Sequence, residues 1–268
     1  MQQLDGRVVV ITGGGGGIGH AMGRAFGEAG MKVVLADIQP EPLEKAVAEL
    51  TADSLDVIGV PTDVTSYDSV CSLRDAVLSA YGAVNVVCNN AGIGAGAEGP
   101  MWQHELRDWE WALAVNVWGV IYGINAFVPV LLEQDEGHVV NTSSGNGGIA
   151  PLPPTPQYAA TKAAVVTLTE CLYGQLDGTK VSASVLFPGP HMLRTGLFES
   201  WRSRPDKYAK TRPRQTPYTT VEDLETQMRA ANIPIAYTEP ADVAAADAAV
   251  RRDEGRRRHA DGMPLWAA

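Results

Sequence analysis

Short apolar runs alternate with amphipathic stretches along most of this chain. The runs lie at residues 7–12, 32–36, 57–60, 84–88, 138–141 and 181–187. Several are rich in valine and isoleucine, which is typical of strands buried on both faces of a sheet. Helices are predicted between them, at residues 21–29, 41–50, 66–81, 109–132 and 158–175. Strands that alternate with helices predict an α/β protein with a doubly wound parallel sheet in three layers.

The chain is predicted to form one domain, residues 1–268, because it contains neither an internal repeat nor a linker. After residue 190 the alternation stops. Residues 191–237 are rich in arginine, proline and aromatic residues, with one predicted helix at 221–231. Ligands bind beside the carboxyl edge of a parallel sheet, so this insertion is predicted to be a substrate lid. A disordered excursion is the alternative.

Composition and charge argue against several classes of protein. A formal charge of -10 argues against a nucleic-acid partner, and the basic cluster at 256–259 lies near acidic residues, as in a solvated tail. The three cysteines are odd in number and widely spaced, which favours reduced thiols, and they form no metal-ligand spacing with the histidines. We find no leader, and no apolar run nears the length of about 18 residues that a membrane helix needs. The sequence therefore predicts a cytoplasmic protein.

A glycine-rich turn follows the first strand. The run from Gly13 to Gly17 continues through Ile18 and Gly19 into a helix. Residues without side chains let backbone N–H groups approach a pyrophosphate, whose charge then lies at the positive end of the helix. The second strand ends at Asp37, where a carboxylate would bind the adenosine ribose and repel a 2′-phosphate. The pattern predicts NAD rather than NADP on a Rossmann-type fold; a flexible loop and an ordinary strand-end acid are the alternatives.

Tyr158 and Lys162 lie one turn apart on the same face of a predicted helix. A phenol is a poor proton donor or acceptor near neutral pH unless a nearby cation stabilises the phenolate. Lys162 is placed to lower the pKa of Tyr158 in this way. A surface pair at helical spacing is the alternative, but the polar run at residues 141–144 and the glycine turn argue against coincidence.

Together these motifs resemble the short-chain dehydrogenase/reductase family over residues 5–190. The matching positions are Thr12-Gly13-x-x-x-Gly17-Ile18-Gly19, Asp63-Val64, Asn89-Asn90-Ala91-Gly92, Asn116, Ser143-Ser144, Tyr158-x-x-x-Lys162 and Pro188-Gly189. The resemblance implies an NAD-dependent oxidoreductase that interconverts a secondary alcohol and a ketone. It also implies a homo-oligomer, a dimer or tetramer, with contacts made by the helices around Trp109 and Tyr158. A catalytically silent NAD-binding sensor or scaffold, and a dehydratase or epimerase on the same fold, are the alternatives.

The resemblance implies a role for each matching residue. Tyr158 would be the acid/base, and Ser144 would hold the substrate oxygen. Lys162 would bind the nicotinamide ribose and lower the pKa of the tyrosine, while Asn116 would help to hold a water in a proton relay. The positions implied to contact the cofactor are Gly13, Gly17, Ile18, Gly19, Asp37, Asp63, Val64, Asn90, Tyr158, Lys162, Pro188 and Gly189.

The chain departs from the family pattern at three places. Ser144 precedes Tyr158 by fourteen positions, one more than is usual, and Gly145 at the usual spacing has no hydroxyl. Ser144 is therefore our choice, and Ser143 is the alternative. Thr195 lies farther past Gly189 than the usual cofactor-binding threonine, which leaves its nicotinamide contact open. The usual C-terminal strand signature is absent. Aromatic residues in the predicted lid, and a loose likeness to relatives that oxidise aromatic alcohols, suggest a bulky hydrophobic or aromatic substrate.

Overall fold

All six predicted strands form. Their bounds are β1 (Val8–Thr12), β2 (Lys32–Asp37), β3 (Val57–Pro61), β4 (Val86–Asn89), β5 (Gly137–Thr142) and β6 (Val181–Leu186). They make one parallel sheet in the order β3-β2-β1-β4-β5-β6. The chain runs outward from β1 to β3 and then returns to β4 on the other side of β1. This reversal leaves a crevice at the carboxyl ends of β1 and β4, where doubly wound sheets bind ligands.

Helices cover both faces of this sheet. The helices of the described residues are α1 (Gly17–Glu28), α2 (Pro40–Ala52), α3 (Tyr67–Tyr81), α4 (Leu106–Leu113), α5 (Gly119–Glu133), the short turn α6 (Gly145–Gly148), α7 (Pro156–Gln175) and α8 (Val221–Ala230). Of these, α1, α2, α3, α5 and α7 pack on the sheet. The stretch predicted as one helix at 109–132 consists of α4, a π-helical segment (Ala114–Trp118) and α5. This computed structural model describes residues 4–94, 96, 99–189, 193, 195–212, 220–230 and 236–244. The C-terminal basic cluster and the rest of the predicted lid lie outside the described residues.

The central strand β1 explains why the apolar runs are continuous. Val8 and Val10 belong to the core cluster that includes side chains of α3, α5 and α7, whereas Val9 and Ile11 belong to the cluster that includes α1 and α2. All four side chains are buried. Burial of such a side chain contributes about 1.5–3 kcal/mol, so both faces of the strand favour the same position in the sheet.

The continuous stretch Leu106–Glu133 is long and apolar enough to cross a membrane by length and composition alone, with a mean hydropathy of 1.7. The expectation that no run in this chain would qualify was therefore wrong. Half of the qualifying window is buried inside the protein. The α5 side chains Ala126, Phe127 and Leu131 belong to the core that packs on the sheet. This packing accounts in part for the apolar character of the stretch.

Candidate active site

Three of the predicted catalytic side chains meet at the carboxyl end of β5. The hydroxyl of Ser144 lies near enough to the phenol of Tyr158 to lower the pKa of that phenol. Lys162 lies one turn along α7, with its Nζ 5.6 Å from the centroid of the Tyr158 ring. The same Nζ donates a hydrogen bond of 2.8 Å to the carbonyl of Thr142, the last residue of β5. The strand end thus holds the lysine beneath the tyrosine.

The structure distinguishes the two candidate serines. Ser143 is 1% exposed, and its hydroxyl donates to the backbone carbonyl of Lys162 at 2.8 Å. That bond ties β5 to α7. Ser144 is only partly buried, and its hydroxyl oxygen accepts from the N–H of Asn146 at 3.2 Å. Because an oxygen that accepts this bond keeps its own proton, Ser144 can donate toward Tyr158 or a substrate oxygen.

Asn116 lies inside the π-helical segment, a type of distortion that is frequent at functional sites. Its Nδ2 donates to the carbonyl of Ile93 and to Oγ1 of Thr161, both at 3.0 Å, and its Oδ1 accepts from the N–H of Ile93 at 2.9 Å. A Cβ added to Gly92 would lie 3.4 Å from this Oδ1 and 3.3 Å from Nζ of Lys162. Asn116 therefore joins α7, through Thr161, to the loop after β4; its part in a proton relay remains a prediction.

Burial determines the pKa of both titratable groups in this site. Burial raises the pKa of Tyr158, and the hydrogen bond from Ser144 lowers it by less. Burial also lowers the pKa of Lys162 to about 8. The expectation that Lys162 holds the pKa of Tyr158 below its ordinary value was therefore wrong for the protein's own groups. The physical reason is that loss of water around the phenol disfavours the phenolate more than the Ser144 hydroxyl stabilises it.

The glycine turn lies between β1 and the N-terminus of α1. Gly13 has a φ of +68°, which favours glycine, and an added Cβ would lie 2.9 Å from Cα of Ala91. A Cβ at Gly19 would overlap the carbonyl oxygen of Gly13. The absence of these side chains lets the turn pack against the end of β4. Gly17 and Ile18 begin α1, so their positions are at the positive end of a helix, where a phosphate is favoured.

Asp37 ends β2 directly beside this turn. Its carboxylate accepts hydrogen bonds of 3.0 Å from the N–H groups of Gly15 and Gln39. It lines a cavity of about 120 Å³ together with Gly13, Asp63 and Val64. Asp63 accepts bonds from the N–H and hydroxyl of Thr65 at 2.8 and 2.7 Å, which shapes the far wall of the cavity.

Thr12 belongs to the glycine motif, where the sequence assigned it no role of its own. In the structure it connects two of the predicted cofactor segments. Its hydroxyl accepts from the N–H groups of Asn90 and Ala91 at 3.0 and 3.1 Å, and its carbonyl accepts from Nδ2 of Asn90 at 3.0 Å. Asn90 is thereby fixed beside the glycine turn. Thr161 has a similar bridging part, since its hydroxyl also donates to the carbonyl of Tyr158 at 2.8 Å. A polar residue at a strand end was the available sequence signal for Thr12.

The segment after β6 returns to the glycine turn. Pro188 is buried, and Gly189 has a φ of +78° beside Thr238. The side chain of Thr195 lies against Gly17, 3.2 Å from where a Cβ would stand. Its hydroxyl accepts from the N–H of Leu197 at 3.4 Å. Despite its longer spacing, Thr195 thus reaches the turn; a contact with the nicotinamide remains a prediction.

Comparison with known proteins agrees with this geometry. The family model described as short chain dehydrogenase matches residues 7–206. A 1-deoxy-11-beta-hydroxypentalenate dehydrogenase of Streptomyces avermitilis is 37% identical, over 69% of this chain and 69% of the relative. A short chain dehydrogenase/reductase of Burkholderia phymatum in complex with NAD is 38% identical, with a TM-score of 0.81, over 94% of this chain and 88% of the other.

A metagenomic short-chain oxidoreductase in complex with NADP is 30% identical, with a TM-score of 0.66, over 69% of this chain and 83% of the other. Solved relatives therefore include complexes with either nicotinamide cofactor. The ordered motifs, the parallel sheet and the meeting of Ser144, Tyr158 and Lys162 lead to one conclusion: the chain belongs to the short-chain dehydrogenase/reductase family of oxidoreductases.

Proposed function

We propose that this protein is an NAD-dependent oxidoreductase that interconverts a secondary alcohol and a ketone. The observation that carries the proposal is the meeting of the Ser144 hydroxyl and the Tyr158 phenol beside the buried amine of Lys162. Two neighbouring hydroxyls can share one substrate oxygen and stabilise the negative charge that develops there. That arrangement suits a reaction in which a proton leaves or reaches an oxygen as hydride moves.

The proposed chemistry assigns one task to each side chain. Ser144 donates a hydrogen bond to the substrate oxygen, because its own oxygen is already oriented by the N–H of Asn146. As the phenolate, Tyr158 takes the hydroxyl proton onto its Oη during oxidation, and as the phenol it returns that proton during reduction. Lys162 binds the nicotinamide ribose and is held in place by the Thr142 carbonyl. Bound NAD would supply the hydride acceptor.

Asp37 supports NAD rather than NADP as the cofactor. Its carboxylate is held toward the cavity by two backbone N–H groups, so a ribose 2′-phosphate beside it would meet a fixed negative charge. Like charges in a partly desolvated site repel strongly. The glycine turn, Asp63, Val64 and Asn90 fit the rest of a dinucleotide, since they surround one crevice at the carboxyl ends of β1 and β4.

Exposed apolar side chains beside the site support a bulky hydrophobic or aromatic substrate. Ile149 and Leu152 are 76% and 55% exposed on the loop that follows Ser144. Trp102 is 85% exposed on a turn that contacts the N-terminal end of α7 through a 2.6 Å hydrogen bond between His104 and Gln157. A group of exposed apolar side chains near a site is typical of a surface that binds an apolar ligand.

The test is a reduction assay with NAD or NADP and a panel of hydroxysteroids, aryl alcohols and sugar alcohols. We expect NADH formation with a bulky secondary alcohol and a higher kcat/KM for NAD than for NADP. Asp37→Ala should narrow the ratio of the two kcat/KM values, chiefly by improving NADP. Equal kcat/KM values for both cofactors in the wild type would contradict the assignment of Asp37, and product formation without net NADH would contradict the reaction.

We also propose a cytoplasmic homo-oligomer. The support is an exposed aromatic face on α3, the π-helical segment and α5, where Tyr122 contacts Tyr67 and Trp118 at centroid distances of 5.4 and 5.7 Å. Leu113 and Trp118 are 42% and 50% exposed beside them. Such a face favours a symmetric contact with a second copy. Sedimentation at micromolar concentration should give a dimer or tetramer, and a monomer would contradict this.

A further inference from the structure

One segment, residues 195–212, runs along the cofactor crevice; we refer to it as the strap. At one end, Thr195 lies against Gly17 of the glycine turn. Next along the strap, the hydroxyl of Ser200 accepts a 3.0 Å hydrogen bond from the N–H of Gly94, in the loop after β4. The strap therefore begins at the glycine turn and the loop after β4.

The other end of the strap reaches the Asp37 side of the crevice. Ser203 and Pro205 line the same cavity as Asp37 and Asp63. Nζ of Lys207 then donates to the hydroxyl of Thr65 at 3.0 Å. Since Asp37 and Asp63 are the residues expected to face the adenosine half, this end of the strap lies where that half would bind. A lid that served the substrate alone would need no such contacts.

A buried acid, Asp108 of α4, anchors the strap. Asp108 is 1% exposed and pairs with Nη1 of Arg204 at 2.7 Å and with Nζ of Lys210 at 3.4 Å. Nε of Arg204 also donates to the carbonyl of Tyr208 at 2.6 Å. The guanidinium lies 5.0 Å from the centroid of Trp111, which is itself part of the cavity wall. Removal of Arg204 would leave the buried carboxylate of Asp108 with only the longer contact to Lys210, so this anchor favours one strap position.

We propose that the strap forms the outer wall of a subsite for the adenosine half of the cofactor. Ser203 and Pro205 are its contact residues, and Asp108 and Arg204 are positioning residues that hold them there. The inference rests on the proposed dinucleotide cofactor. Its consequence is that the anchor slows the release of the adenosine half while leaving the nicotinamide half unaffected.

The test compares two fragments of the cofactor. ADP-ribose carries the adenosine half together with the diphosphate and the second ribose, and reduced nicotinamide mononucleotide carries the nicotinamide half. We expect Arg204→Met to weaken ADP-ribose about ten-fold by calorimetry and to raise the NADH dissociation rate by a similar factor in stopped-flow displacement. Its affinity for the mononucleotide should stay within about two-fold. A general loosening of the fold would weaken both fragments.

Arg202→Met is the matched control. Arg202 lies in the same strap and pairs with Glu199 at 3.0 Å, but its side chain is 51% exposed and lines no part of the cavity with Asp37. We expect its binding of both fragments to equal that of the wild type. If Arg204→Met fails to fold, Arg204→Lys replaces it, because lysine keeps the charge opposite Asp108 but loses the fixed Nε bond to Tyr208. The same selective loss for ADP-ribose, reduced in size, is then expected.

The outcomes separate this inference from the proposed function. Wild-type protein that binds neither NADH nor ADP-ribose would overturn the cofactor assignment, and the strap inference with it. Wild-type protein that binds both, with unchanged ADP-ribose affinity and NADH release in the folded Arg204 variants, would overturn the strap inference alone. Equal weakening of both fragments would also overturn it. Selective weakening of ADP-ribose, with Arg202→Met unchanged, is the expected result.

Discussion

Lys162 and Arg204 are both buried cations beside the cofactor crevice, but their surroundings differ. Nζ of Lys162 donates to the carbonyl of Thr142, and among the described residues no carboxylate forms an ion pair with it. Arg204 faces the carboxylate of Asp108 at 2.7 Å. Removing a cation from water costs several kcal/mol, and a carboxylate in good geometry offsets part of that cost.

These surroundings determine what each of the two charges can do. An unpaired buried cation destabilises the fold, but its remaining N–H groups stay available to a bound ligand. A paired cation is neutralised by its partner and serves to hold two elements together. Loss of Lys162 should therefore cost activity and increase stability, whereas loss of Arg204 should cost stability first. The following predictions test this contrast, from the largest expected effect to the smallest.

The largest effect is expected at the phenol above Lys162. Tyr158→Phe removes the hydroxyl that exchanges a proton with substrate and keeps the ring. We expect kcat to fall by up to about 10⁴-fold, while the affinity for NAD, measured by fluorescence titration, stays within about two-fold. A kcat near that of the wild type would remove this helix from the chemistry and leave only its packing role.

The second prediction concerns the ion pair of the paired cation, Arg204. Arg204→Met leaves Asp108 buried opposite only Lys210, so we expect a loss of about 3 kcal/mol in the free energy of unfolding, measured by urea denaturation. Arg24→Met serves as the control, because Arg24 pairs with Asp53 at a similar 2.6 Å but both side chains are largely exposed. That exposed pair should contribute at most about 1 kcal/mol. Equal losses in the two variants would mean that burial does not distinguish the pairs.

The third prediction concerns replacement of the unpaired cation, Lys162. For Lys162, the gap between the ordinary pKa of 10.5 and about 8 corresponds to about 3 kcal/mol. The lost hydrogen bond to Thr142 offsets about 1 kcal/mol of that. We expect Lys162→Met to be about 2 kcal/mol more stable than the wild type at pH 7, although NAD binding and turnover are lost.

The same variant gives a pH test. Because burial lowers the pKa of Lys162, the folded protein releases this proton at a lower pH than the unfolded chain does. Below about pH 8 both states hold the proton and the folded state carries its full cost. Between about pH 8 and 10.5 the folded state loses the proton first, so the stability of the wild type should rise relative to Lys162→Met. A difference that stays constant across this window would contradict the lowered pKa.

The smallest effect concerns Ser144. Its hydrogen bond lowers the pKa of Tyr158 against the larger effect of burial. In Ser144→Ala the apparent pKa that governs alcohol oxidation should therefore move upward, because the phenolate loses its donor. The measurement is the pH dependence of kcat on a slow alcohol substrate. Ser143→Ala is the control, since that hydroxyl bonds the backbone of α7 instead; an equal displacement in both variants would contradict the assignment of Ser144.

Much of the fold and part of the site could be predicted from local patterns. The β1 run is apolar at consecutive positions because its two faces enter two cores, and such a run is visible without any structure. The pairing of Tyr158 with Lys162 follows from the period of the helix alone. The place of Asp37 also follows from the sequence, because a strand that pairs with β1 ends beside the glycine turn.

Tertiary structure decided what depends on partners far apart in the chain. Ser143 and Ser144 are neighbours of the same chemical type, and only the Lys162 carbonyl, 19 positions away, shows which hydroxyl is engaged in packing. The direction of the Tyr158 pKa depends on how much water the fold removes, which helical spacing does not report. Asp108 and Arg204 are 96 positions apart. Their ion pair, and with it the course of the strap along the crevice, exists only because α4 and the segment after β6 pack together.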